Sequence, residues 1–267
     1  NEGCERLALL GNSGGGTMAA FYQSPASKPK GERLTHTPAG DPPDLNAHDL
    51  PVADALVLIG AHIGQGPLLA KMIDPSVTDE DDPLSVAPSL DPYAPSNGFR
   101  TPPESSRYAA EFLDRYRAAQ IDRVRRLDAR AHELCERQRW AGARSRSAEG
   151  AEAQYLSRAE RAGGLMTIHR TTADPAMVDL NIEPDDRTVS SYVGGRPDLE
   201  NYGINGFARV LTPRAWLSTW SAMSSNARTF DCLAGCAEPL LVVHYAGDIG
   251  TRLSEAERMV SVSGAVD

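Results

Sequence analysis

The sequence predicts an α/β fold built on a parallel β-sheet. Three observations carry this expectation. Short apolar runs at residues 7–10, 53–59 and 238–245 read as buried strands, apolar on both faces. Each run ends in a glycine-containing turn, and long helix-period stretches separate the second run from the third. At 267 residues the chain is long enough for one large domain or two small ones, with 41% hydrophobic and 24% charged residues, an ordinary globular balance.

The first strand, residues 7–10, runs into Gly11-Asn12-Ser13-Gly14-Gly15, which matches G-x-S-x-G. Met18, Ala19, Ala20, Phe21 and Tyr22 then read as the start of a helix. Strand, tight glycine turn with a central serine, then helix is the context of a nucleophile elbow. The turn is sharp enough to strain the serine backbone, and side chains at the flanking positions would collide with strand and helix. The serine Oγ is lifted above the sheet, and the N–H of Gly14 points at the same spot as an oxyanion donor. A phosphate-binding P-loop is excluded because Thr17 stands where its lysine is required, although Gly11 and Gly16 have the right spacing. The G-x-G-x-x-G spacing of a dinucleotide site is absent. A plain flexible glycine loop is the alternative, and the flanking strand and helix weigh against it.

Residues 24–52 are rich in proline, glycine and aspartate and read as a loop. The second strand, 53–59, ends in Gly60-Ala61-His62-Ile63-Gly64-Gln65-Gly66. His62 thus falls on the edge where α/β sheets bind ligands, and either a ligand contact or simple packing within the loop accounts for it. Residues 73–103 are acidic and then proline-rich; the spacing of a calcium loop is missing, so a solvated loop is expected, with Asp74-Pro75-Ser76 bracing it near the site. Leu113, Tyr116, Gln120, Val124, Leu127, Ala131 and Leu134 form one stripe of an amphipathic helix over 104–140. That helix is strongly basic. It reads either as a lid attracting an anionic substrate or, better, as a solvated face with pairs such as Asp122 with Arg126. Residues 148–162 read as a second helix, and 163–206 as a mixed, glycine-punctuated segment. Thr212-Pro213 opens a further helix, on which Trp216 and Trp220 share a face, either as core or as the wall of an acyl pocket. The third strand leads into Ala246-Gly247-Asp248, and 255–260 read as a helix.

The net charge of −9 argues against nucleic acid as a partner, and no apolar run is long enough to span a membrane. Cys4, Cys135, Cys232 and Cys236 form neither a disulfide framework nor a zinc site. No targeting signal is visible, which leaves the cytoplasm as the expected location.

Ser13 after one strand and Asp248 after a later one keep the order serine then acid. On these residues the chain resembles the central and C-terminal parts of an α/β-hydrolase. Residues 7–16 resemble strand 5 with its elbow, 53–60 strand 6, and 239–248 strand 7 with the acid turn; the stretch between resembles a lid or cap. The implied organisation is a core at 1–66, a helical and loop lid or cap at 67–235, and the rest of the core at 236–267. The resemblance implies one parallel sheet ordered 7–10, 53–59, 239–245, with Ser13 and Asp248 at its C-terminal edge. It further implies that Ser13 attacks an acyl carbonyl, Gly14 N–H holds the oxyanion, and Asp248 orients a histidine that takes the serine's proton. Asn12, His62 and Trp216 are the candidates for contact with a small-molecule acyl substrate, an ester, thioester or related compound. Neither a metal nor an organic cofactor is implied, and oligomeric state is left open. In the family the histidine follows the acid, whereas all six histidines here precede Asp248. The expectation is therefore a segment of a larger serine hydrolase, with the first four strands before it and the histidine after it. Such a segment would be nearly inactive and poorly soluble on its own. A binding protein on the same scaffold and a carbon–carbon bond hydrolase with the same triad are the alternatives.

Overall fold

Local pairing sets the strands in register. The computed structural model describes residues 3–192 and 194–265. In chain order the elements are β1 (Ala8–Asn12), α1 (Gly14–Ala26), β2 (Ala55–Ile59), α2 (Gln65–Met72), α3 (Ala110–Ser145), α4 (Gly150–Ala162), β3 (Met166–Thr167), α5 (Pro197–Glu200), β4 (Val210–Leu211), α6 (Pro213–Ala215), α7 (Thr229–Leu233), β5 (Leu240–Val243) and α8 (Leu253–Val262). The main sheet is ordered β1-β2-β5 and both pairings are parallel, as the sequence led us to expect. β3 and β4 form a separate antiparallel pair. β1 pairs through to Asn12 opposite Ile59, so the turn is tighter than the motif alone suggests: Ser13 by itself separates strand from helix.

Alternation along each strand sends side chains to opposite faces. Leu9, Leu56, Leu58, Leu240 and Val242 point to the face covered by α1, α7 and α8, where Ala20, Leu233, Cys236 and Met259 complete a core. Leu10, Val57 and Leu241 stand side by side in register on the opposite face. There Leu10 is 66% and Leu241 57% exposed. The expectation of strands buried on both faces is thus corrected: among the described residues, helices cover one face only. The start of β2 is locked to α1 by Gln23, whose buried amide donates to the Ala53 carbonyl and accepts the Ala53 N–H, both at 3.0 Å.

The expected amphipathic helix is α3, a 36-residue helix packed against α4. Tyr116, Gln120, Val124, Leu127, Ala131 and Cys135 form its buried stripe. Several of its arginines, such as Arg125 with Asp122, do form a solvated face, but others are tied to acids outside the helix, two of them in the acidic loop. Arg123, fully buried, donates from Nε and Nη2 to the two carboxylate oxygens of Glu80 at 2.8 and 2.7 Å. Arg130 pairs with Asp81 and Arg117 with Asp174. Asp122 pairs with Arg125 rather than Arg126, whose guanidinium donates to the Val77 carbonyl instead. Asp74 is buried, accepting the Ser76 N–H and the Asn201 amide, and braces the loop internally.

No helix among the described residues is long and apolar enough to cross a membrane, and no cluster of metal-ligating side chains occurs among them. The four cysteines are free. Burial pushes the Cys232 thiol up to about 11 and that of Cys236 to about 12.

Candidate active site

Ser13 has φ 53° and ψ −124°, a left-handed conformation that side-chain-bearing residues rarely adopt. Its N–H donates to the Ile59 carbonyl at 2.9 Å, and its own carbonyl accepts the Gly16 N–H at 3.0 Å, so both neighbouring elements hold the strained residue in place. A Cβ on Gly11 would lie 2.2 Å from the Gly15 carbonyl oxygen, and one on Gly16 2.5 Å from the Ala61 Cβ. Gly15 faces open space. The glycines the packing demands are therefore the first of the motif, Gly11, and the one just after it, Gly16. The N–H of Gly14 heads α1, where no intrahelical acceptor exists.

Asp248 stands on the turn after β5. Its Oδ1 accepts the N–H groups of Gly250 at 2.7 Å and Thr251 at 3.3 Å, which fixes the carboxylate plane. Its Oδ2 would lie 3.8 Å from a Cβ built on Gly60, at the end of β2. β2 lies between β1 and β5, so the two residues stand on either side of its C-terminal end and line the same cavity.

His62, in the turn after β2, is buried. Its carbonyl accepts Thr17 Oγ1 from α1 at 3.0 Å and Thr229 Oγ1 from α7 at 2.8 Å. Its Nδ1 accepts the Gly64 N–H at 3.1 Å. Burial alone pushes its pKa down to about 4, so the ring is neutral near pH 7.

Ser13, Gly14, His62 and Asp248 open onto one cavity of about 490 Å³. Its far wall is apolar and comes from the segment between the second and third strands: Leu68, Met72, Met177, Tyr192, Phe207 and Trp220. Phe207 stacks between Tyr192 and Trp220, with ring centroids 6.3 and 5.8 Å away.

Two residues expected here are elsewhere. Asn12 is exposed at the end of β1 and does not line the cavity. Trp216 is fully buried in the core, where its indole N–H donates to Asp128 at 2.6 Å. A π turn at Trp216–Trp220 widens the helix, and Trp220 supplies the cavity wall in its place. Gln65, Tyr192 and Phe207 are cavity residues the sequence reading did not single out. The last two come from an irregular segment whose residues carry no period, so no pattern pointed to them.

No protein-family model, curated protein or solved structure matches the chain.

His62 is the only histidine on the cavity wall among the described residues. His244, just past β5, is half-buried with its Nε2 unpartnered and does not reach the cavity.

Proposed function

We propose that this chain is the catalytic part of an α/β-hydrolase-type serine hydrolase that cleaves an ester, thioester or related acyl bond. One observation carries the proposal: a strained serine after β1 and a carboxylate after β5 open onto a single apolar cavity at the C-terminal edge of one parallel sheet. Strain of this kind persists only where surrounding structure imposes it, and it concentrates at functional positions.

In the proposed reaction Ser13 Oγ attacks the acyl carbonyl while an imidazole removes its proton. The tetrahedral oxyanion forms beside the Gly14 N–H. The imidazolium then protonates the departing alkoxide or thiolate, and water repeats the sequence on the acyl-serine. Asp248 acts through Oδ2, since Oδ1 is engaged by two backbone donors; it fixes the imidazole's tautomer and stabilises its charged form. The Nδ1 of His62 is held by Gly64, so we assign the base to a histidine outside these residues. The aromatic and methionine wall suits a small apolar acyl group.

A second proposal, a binding protein on the same scaffold, is favoured by His62, the one histidine on the cavity wall among the described residues, having its Nδ1 engaged by Gly64. Labelling with a fluorophosphonate separates the two. In the natural full-length protein, label should appear on Ser13 and vanish in Ser13→Ala. An unlabelled Ser13 would rule out the hydrolase in favour of the binder.

A further inference from the structure

Two polar side chains crowd the Cα of Gly14. A Cβ built there would stand 3.2 Å from His62 Nε2 and 3.1 Å from Gln65 Nε2. Both nitrogens therefore flank Gly14, directly beside the serine and on the wall of the same cavity. His62 Nε2 has no partner among the described residues, although the residue is 93% buried, with 7% of its surface exposed to the cavity. Gln65 presents its amide donor, Nε2, on the same side. Polar groups left open in a buried wall are costly unless something binds them.

The proton on His62 can be located from its surroundings. Nδ1 accepts the Gly64 N–H, and a nitrogen that accepts holds no proton. The neutral ring therefore carries its proton on Nε2, the atom that faces Gly14. A base would need the reverse: a bare nitrogen toward the serine. The ring's position is also fixed from behind, because Thr17 and Thr229 both reach its backbone carbonyl.

We infer that His62 is a catalytic residue of a different kind: a fixed, uncharged hydrogen-bond donor that, with Gln65 beside it, receives the acyl oxygen next to Gly14. The inference rests on the hydrolase proposal for its substrate, an acyl group, but not for its geometry. The ligand class is any small acyl compound bearing a carbonyl or carboxylate oxygen. In the reaction the oxygen gains negative charge as Ser13 adds, and a donor already in position strengthens its hold without reorganising. A neutral imidazole is suited to this because it donates without giving up its proton. Deep burial reinforces the role by holding the ring in its uncharged form across the neutral range.

The test uses the natural full-length protein labelled with 15N-histidine, and butyrate as the probe. His62 should show an unprotonated Nδ1 and a protonated Nε2 throughout pH 6–9. Saturating butyrate should move the Hε2 resonance downfield, in Ser13→Ala as in wild type. His62→Leu should weaken butyrate binding at least tenfold. In turnover, His62→Leu should lower kcat about 100-fold with little change in KM. His62→Gln, which keeps an N–H donor but is no base, should recover most of that loss and leave the pH profile unaltered. A proton on Nδ1, an unmoved Hε2 resonance, or a His62→Gln variant as inactive as His62→Leu would overturn the inference. The butyrate arm does not involve the serine, so it stands even if Ser13 proves not to be a nucleophile. Thermal melts of each variant separate these outcomes from misfolding.

Discussion

The backbone N–H of Ser13 donates to the carbonyl of Ile59 at 2.9 Å, so the end of β2 holds the residue after β1 in a conformation it would not choose. The strain has a measurable cost. Ser13→Gly should raise stability by about 1 kcal/mol, strain relief outweighing the extra freedom of the unfolded chain. Ser13→Ala, which keeps the Cβ, should not. Urea melts of the two variants and wild type give the comparison, and equal stabilities would mean the elbow is relaxed.

The two packed glycines and the open one should respond differently. Gly16→Ala drives a methyl group into Ala61 and should cost about 1–3 kcal/mol. Gly15→Ala meets nothing and lies in α1, so it should be neutral or stabilise by up to about 1 kcal/mol. Thermal denaturation ranks them, and a reversal of that order would contradict the packing described for the elbow.

Stability should fall with acid through His62. Its folded pKa is depressed to about 4 by burial, while in the unfolded chain it is near 6.5. As pH falls, the unfolded chain therefore takes up the proton first. This contribution is complete above about pH 6.5, erodes between there and about pH 4, and is constant below. It amounts to roughly 3 kcal/mol across the window. The shift comes from desolvation, the imidazolium being disfavoured by burial. Denaturation midpoints at pH 7.5, 6 and 5 should converge between wild type and His62→Gln as pH is lowered; parallel curves would refute it.

Arg123 and Glu80 should behave as a buried pair and Arg125 and Asp122 as a surface one. Glu80→Ala leaves a guanidinium buried without its carboxylate and should cost about 3–5 kcal/mol. Asp122→Ala should cost less than about 0.5 kcal/mol, both side chains being more than half exposed. Chemical denaturation of the two single variants decides it.

The parts of this molecule that were legible in its sequence are those written in neighbouring residues. Apolar runs marked the three strands of the main sheet, which lie in the expected sequence across it, and Ser13 and Asp248 both line the cavity at its edge. What stayed hidden depends on partners far along the chain. Arg123 looked solvated like its neighbours because its acid lies elsewhere, Glu80 being 43 residues away. Trp216 and Trp220 shared a spacing but not a fate, because the π turn between them leaves no mark in hydrophobic periodicity. An apolar run also reads the same whether one face of a strand is covered or both. For that reason the open row of Leu10, Val57 and Leu241 was invisible before the fold.

The connection between β2 and β5 also governs when the site comes into being. β1, α1 and β2 are close in sequence and can associate early in folding. β5 must return over a separation of 184 residues, Leu56 to Leu240, to pair with β2, and Thr17 meets Thr229 over a separation of 212 residues. Closing so long a loop is slow, and its contacts repay the ordering only once they are made. The serine's turn can thus form while the carboxylate is still distant. A partly folded form that lacks a docked β5 has the turn at Ser13 without Asp248 opposite it, so the cavity wall is complete only once β5 has docked.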